Sequence, residues 1–123
     1  MYCLDTNAII YYLKGDENAV SFLNNIFDNR VPVYVSTITE TELLSFEGMD
    51  LKEEELIENI LRIFSIIPLD SNIAKIAGYI RRTCSLNIAD SVIAATAIFT
   101  GGTLVTRNIK HFRKIPNLAI QKV

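Results

Sequence analysis

Histidine occurs once in this 123-residue chain, cysteine twice and glycine five times, and these shortages exclude much chemistry at the outset. Cys3 and Cys84 stand far apart in apolar or helical surroundings, without the paired spacing of a zinc site. They read as buried free thiols in a reducing cytoplasm, with a disulfide as the lesser alternative. No glycine-rich loop is present to wrap the phosphates of a nucleotide, and no nucleophile elbow supports a Ser-His-Asp hydrolase. No run of about 18 apolar residues is available to cross a membrane. The N-terminus runs straight into a strand pattern with no basic leader, so a signal peptide is not expected either.

Acidic residues are almost missing from the second half. Residues 1–70 hold 13 acids against 4 bases, whereas residues 71–123 hold 8 bases against one acid, Asp90. The acidic excess is concentrated in Asp50, Glu53, Glu54, Glu55 and Glu58, which read as a solvated helix face and its start, or else as a docking surface. The basic set Arg107, Lys110, Arg113 and Lys114, with Arg81 and Arg82 before it, is a footprint for a polyanion if the fold gathers it, and scattered surface charge otherwise. Half of the residues are apolar, enough for a single domain over 1–123 with a real core.

Periodicity and punctuation predict short strands alternating with helices. A strand at about 2–5 leads into a helix from Thr6 or Asn7 to Lys14, which Gly15 stops. Asp16 caps a second helix through about Asp28, with Val20, Leu23, Ile26 and Phe27 at helical spacing. Pro32 to Ser36 reads as a strand, followed by a helix carrying Leu43, Leu44 and Phe46 that breaks near Gly48. A helix at about 52–64 and a short strand at 66–69 come next, then a helix capped by Ser71 that runs to about Thr83. After a loop at 84–88, a helix led by Asp90 runs to Gly101-Gly102. A strand at 103–106, a short basic helix at 108–114 and a last strand at 118–120 complete the chain. The alternation implies an α/β fold with a mostly parallel sheet of four to five strands covered on both faces. In such sheets, sites form beyond the carboxyl ends of the strands, near the switch in strand order.

Asp5, Glu42 and the Thr106–Asn108 region are placed to converge there, and three carboxylates are candidates for a cluster. Asp5 ends the run Tyr2-Cys3-Leu4, Glu42 lies just past the second strand, and Asp90 opens an apolar helical pattern in which it has no packing role. Each also has an ordinary reading: Asp5 as the cap of the first helix, Asp90 as a charge favoured at its helix N-terminus, Glu42 as a solvent-facing residue. Glu40 and Glu42 point to roughly opposite sides of one helix, so at most one joins a cluster, and Glu42, preceding Leu43-Leu44, is preferred. Two carboxylates about 4–5 Å apart repel by about 3–4 kcal/mol at an effective dielectric near 20, so such a set calls for a cation. Oxygen donors without histidine suit magnesium or manganese. The pattern points to metal-assisted chemistry on a phosphate backbone.

Four segments carry a resemblance. Leu4-Asp5-Thr6-Asn7-Ala8-Ile9-Ile10, Glu42-Leu43, Ala89-Asp90-Ser91-Val92-Ile93-Ala94-Ala95 and Leu104-Val105-Thr106-Arg107-Asn108-Ile109-Lys110-His111-Phe112 together resemble PIN-domain ribonucleases, and among them the VapC-type toxins of toxin–antitoxin pairs. The likeness covers essentially the whole chain. It implies a sheet sandwiched by helices, a Mg2+- or Mn2+-dependent endoribonuclease in the cytoplasm, a homodimer and a cognate antitoxin that blocks the site. Asp5, Glu42 and Asp90 match the family's metal-binding and catalytic acids, Asn7 its first polar residue and Thr106 the hydroxyl beside the site. Asn108 stands where many relatives place a fourth acid, and His111 where others have Asp or Glu. A three-carboxylate site is therefore expected, holding one ion well. Arg107, Lys110, Arg113 and Lys114 are candidates to steer RNA or else plain surface charge, and His111 could touch RNA, although a lone histidine beside Phe112 reads more readily as structural. The dimer surface is expected on exposed apolar positions of the early helices. The competing readings are a PIN nuclease of RNA processing, a non-catalytic interaction module and a phosphatase-like module using Asp5 as phosphate acceptor. The last lacks the usual second acid, because Asn7 occupies that place.

Overall fold

A computed structural model describes all residues, 1–123, and places twelve elements in one α/β arrangement. They are β1 (Tyr2–Leu4), α1 (Thr6–Leu13), α2 (Glu17–Asp28), β2 (Val33–Ser36), α3 (Thr37–Leu43), α4 (Leu51–Leu61), β3 (Ser65–Ile67), α5 (Ser71–Cys84), α6 (Ile88–Thr100), β4 (Thr103–Thr106), α7 (Ile109–Phe112) and β5 (Ile120–Lys122). The five strands form one sheet in the order β3-β2-β1-β4-β5, and every pairing is parallel. The chain steps outward from β1 through β2 to β3, then returns so that β4 pairs with the other edge of β1. The switch in strand order thus falls between β1 and β4, where open parallel sheets leave a crevice.

Strand alternation builds the two cores. Successive residues point to opposite faces, so Leu4 and Val105 join α1, α2 and α4 in one cluster while Cys3 and Leu104 join α5 and α6 in the other. The first cluster is centred on Ile9, Leu23, Ile26, Ile57 and Ile60, and the second on Ile73, Ile80, Val92, Ile93 and Phe112. Because the sheet is covered on both faces, its strands are short apolar runs rather than polar-apolar alternations. Glu53, Glu54, Glu55 and Glu58 lie exposed on α4, opposite Ile57 and Ile60, as a solvated stripe.

The element edges differ from the sequence reading in specific ways. Asp70, not Ser71, caps α5, its Oδ1 accepting from Ile73 N at 3.0 Å; both side chains are good caps, and the backbone turns extended one residue earlier. α6 starts at Ile88 under the cap Asn87, so Asp90 occupies the third helical position instead of leading the helix. α3 ends at Leu43, which leaves Leu44 and Phe46 exposed in the following loop and not on a helix face. α4 stops at Leu61 and α7 at Phe112, both short of the periodic pattern that suggested them. β3 begins one residue early, and β5 lies two residues later than expected. Gly15 (φ +79°) and Gly101 (φ +72°) do terminate their helices in the left-handed region that glycine tolerates.

Both cysteines are free. Cys3 is buried, and burial together with the charge of Asp5 pushes its thiol up to about 12. Cys84, expected to be buried, is only partly so, because its Sγ lies at the end of α5 against Lys114 O, 3.6 Å away. No helix is long and apolar enough to cross a membrane.

Candidate functional site

The extended strand β1 passes directly into α1, and Asp5 is the hinge residue. One carboxylate oxygen caps the helix, Oδ1 accepting from Ala8 N at 2.7 Å. The other accepts from the Thr106 hydroxyl at 2.5 Å, at the end of β4. The capping reading and the site reading of Asp5 therefore apply to different atoms of one side chain. At 5% exposure it is the one buried carboxylate in the chain. Burial raises its pKa above the ordinary carboxylate value; the bonds from Thr106 and Ala8 pull it back, and the charges of Asp90 and Glu42 push it up further. The last two effects show that the three acids share one electrostatic neighbourhood.

Glu42 reaches the cleft from the last turn of α3. Its Oε1 accepts from Thr6 Oγ1 at 2.5 Å, and Thr6 Oγ1 also lies 3.2 Å from Thr39 Oγ1, so hydroxyls from α1 and α3 fix its position. Asp90 is positioned by its helix cap: Asn87 Oδ1 accepts from Asp90 N at 2.7 Å, while Asn87 Nδ2 donates to Asp90 Oδ2 at 3.2 Å. The Asn87 side chain thus caps the helix through its oxygen and holds the Asp90 carboxylate through its nitrogen. Desolvation raises the pKa of Asp90, and the nearby charge of His111 and the Asn87 bond act against that rise.

These carboxylates line a cleft of about 270 Å³ together with Asn7, Ser45 and Phe46. Glu40 is not among its walls. No three His, Cys, Asp or Glu side chains are drawn together closely enough in this conformation to hold a metal unaided. Magnesium does not require that, since it keeps several waters and is bound directly by one or two carboxylates. The donor set also fits it: all oxygen, with a buried carboxylate whose ionised form lacks any cationic partner.

The remaining sequence candidates fall into three groups. Asn7 is exposed on the cleft wall, and Thr106 is buried beneath it. Asn108 does not line the cleft; its amide nitrogen lies 2.8 Å from His111 Nδ1. Arg107, expected to steer RNA, is instead committed to the protein. Its guanidinium pairs with Asp16, stacks 4.1 Å from the Tyr11 ring centroid and donates through Nε to Val123 O at 3.1 Å. Lys110, Arg113 and Lys114 are exposed and form no ion pairs, and the Cys84–Lys114 contact brings this segment against the end of α5 that carries Arg81 and Arg82.

Sequence reasoning missed two features of the site. Asn87, placed in a loop by the sequence pattern, is the N-cap of α6, and an Asn just before an apolar helical run is a cap signal. Phe46 was expected on a helix face and instead stands 55% exposed at the rim of the cleft. His111, open to either a structural role or RNA contact on sequence, is exposed and bonded to the Asn108 amide.

A three-layer α/β fold with an acid cleft at the β1/β4 switch is the arrangement of a PIN domain, and the PIN domain model matches residues 2–118; the chain belongs to this family. Ribonuclease VapC1 of Rickettsia felis is 32% identical to it over 133 residues, an alignment covering 98% of this chain and 94% of the relative. The solved structure of VapBC2 from Rickettsia felis bound to a promoter DNA fragment superposes with a TM-score of 0.86 at 27% identity, covering 99% of this chain and 98% of that one. A toxin–antitoxin complex from Klebsiella pneumoniae gives 0.81 at 28% identity, covering 97% and 96%.

Proposed function

We propose that this chain is the toxin of a VapBC-type pair, a cytoplasmic endoribonuclease that uses Mg2+ or Mn2+ to hydrolyse RNA phosphodiester bonds and is held in check by a cognate antitoxin. The observation that carries the reading is Asp5: a buried carboxylate, pushed toward its neutral form by burial and by two neighbouring acids. Folding such a group against its own electrostatics is costly, and a divalent cation in the cleft removes the cost.

The residues divide the work. Asp5 and Asp90 hold the cation. Glu42, with Oε1 anchored on Thr6, keeps Oε2 available to orient the attacking water. Thr106 and Ala8 fix the two oxygens of Asp5, so the ligand keeps its orientation when the substrate arrives. When bound, the ion supplies Lewis acidity toward a phosphate oxygen and lowers the pKa of a coordinated water. Asn7 faces the cleft as a neutral donor that adds no repulsion toward a polyanion. Lys110, Arg113 and Lys114 attract the RNA backbone from the adjoining surface.

The antitoxin assignment is supported by the solved relatives, which are toxin–antitoxin complexes. An apolar groove beside the acid cleft, walled by Leu13, Phe46, Met49 and Leu56, is the kind of surface a protein partner covers. A homodimer is part of the same reading. Tyr79 on α5 and Ile88 on α6, exposed by 56% and 62%, offer apolar surface for it beside the partly exposed Tyr11, Tyr12 and Leu13 of α1.

Induced expression of the wild type beside Asp90→Asn, with growth followed and new RNA 5′ ends mapped across the transcriptome, tests the proposal. Growth arrest and new ends with the wild type alone support it. Equal behaviour of the two, with soluble wild type and no antitoxin present, overturns it.

A further inference from the structure

Asn108 is the N-cap residue of α7, yet its side chain makes no capping hydrogen bond. In α1 to α6 the N-cap side chain accepts from a backbone N–H in every case. α7 forgoes this stabilising bond, and the Asn108 amide is turned onto His111 instead. The amide nitrogen donates to Nδ1 at 2.8 Å, so the neutral ring carries its proton on Nε2 and presents an N–H donor at its free edge. The same loop is bound to the acid cleft by a continuous series of hydrogen bonds. Asn108 N donates to Thr106 Oγ1 at 3.0 Å, and the Thr106 hydroxyl donates to Asp5 Oδ2 at 2.5 Å. His111 is exposed at the end of this series.

We propose that His111 is a substrate-binding residue, donating from Nε2 to a non-bridging phosphate oxygen of RNA laid across the acid cleft, with Asn108 as its positioning residue. The choice of side chain suits this place. Lysine or arginine here would pair with Asp90 and compete with the cation for its carboxylate. An imidazole whose Nδ1 is occupied by the Asn108 amide offers a single N–H donor, from Nε2, to a phosphate oxygen. The inference rests on the endoribonuclease reading.

The test uses purified full-length protein and an RNA oligonucleotide spanning a mapped cleavage site. Wild type, Asp90→Asn, His111→Ala, His111→Gln and Asn108→Ala are compared in magnesium. The same proteins are titrated with a labelled random-sequence RNA 20-mer in calcium. His111→Ala is expected to lower kcat/KM by about ten- to a hundredfold, the scale of one hydrogen bond to a charged group, with most of the loss in KM. It is expected to weaken 20-mer binding while leaving the thermal midpoint and calcium affinity unchanged. His111→Gln, which keeps an N–H donor, restores most of the loss, and Asn108→Ala resembles His111→Ala. Wild-type kinetics and binding in His111→Ala overturn the proposal, as does a loss that follows thermal stability or that glutamine does not rescue. If the wild type and Asp90→Asn are both inactive, the endoribonuclease reading fails, and the 20-mer titration still decides: equal binding by His111→Ala and wild type overturns the histidine's role.

Discussion

Thr106 donates its hydroxyl to Asp5 Oδ2 at 2.5 Å, joining residues 101 positions apart at the seam between β1 and β4. The carboxyl end of one strand thereby fixes the side chain that leaves the other. Thr106→Val keeps the shape and removes the donor, stranding a buried carboxylate oxygen. The expected loss is about 1.5–3 kcal/mol in metal-free protein, measured by urea denaturation. An unchanged midpoint would mean that the bond contributes nothing to the fold.

Asp5→Asn separates stability from function. The amide still caps α1 through Oδ1 and removes the buried charge that Asp90 and Glu42 oppose. Without metal, the variant is expected to melt at or above the wild-type temperature. Added Mg2+ should raise the wild-type midpoint and leave the variant unmoved. A variant that still gained stability from Mg2+ would place the ion elsewhere.

Asp16 supplies a pH test remote from the cleft. The hydrogen bond from Arg107, then that from Ala19 N, holds its carboxyl below the ordinary value of 3.8. A depressed pKa contributes stability that is present in full above the unfolded value and is lost as pH falls through the folded one. Asp16→Asn retains a capping oxygen but not the charge. The stability difference between wild type and Asp16→Asn should therefore be constant above about pH 5 and close as the pH falls below 3.8. A difference independent of pH would assign the effect to packing against Arg107.

The exposed bases make a quantitative prediction about RNA. Replacing Lys110, Arg113 and Lys114 together by Ala should reduce the slope of log affinity against log salt by about 2, at roughly 0.7 per phosphate contact with single strands. Arg107→Gln should leave that slope unchanged, because the guanidinium is already paired with Asp16 and stacked on Tyr11. An equal fall in both variants would indicate nonspecific charge loss.

The sheet and the three acids were legible in the sequence because they follow local rules. Strand runs such as Thr103 to Thr106 are apolar and short, and Asp5 and Glu42 sit just past strand ends, where parallel sheets place their sites. The interactions that decide roles were not legible, since they join residues far apart in the chain. The periodic charge of residues 107–114 gave no sign that Arg107 turns back to Asp16, 91 positions away. Nor did the pattern Leu43-Leu44-Phe46 reveal that α3 stops at Leu43, because helix ends depend on tertiary packing as much as on local preference. The Asn108–His111 bond is local, three residues apart, but nothing in the sequence distinguishes it from the helix cap that Asn108 could have made.

RNA cleavage by purified wild type and Asp5→Asn, each in Mg2+, in Mn2+ and with excess chelator, tests the central claim most directly. The account predicts discrete cleavage by the wild type in either metal, abolished by chelator, restored on adding metal back, and absent from Asp5→Asn throughout. Cleavage that survives the chelator, or that persists in folded Asp5→Asn, would contradict it.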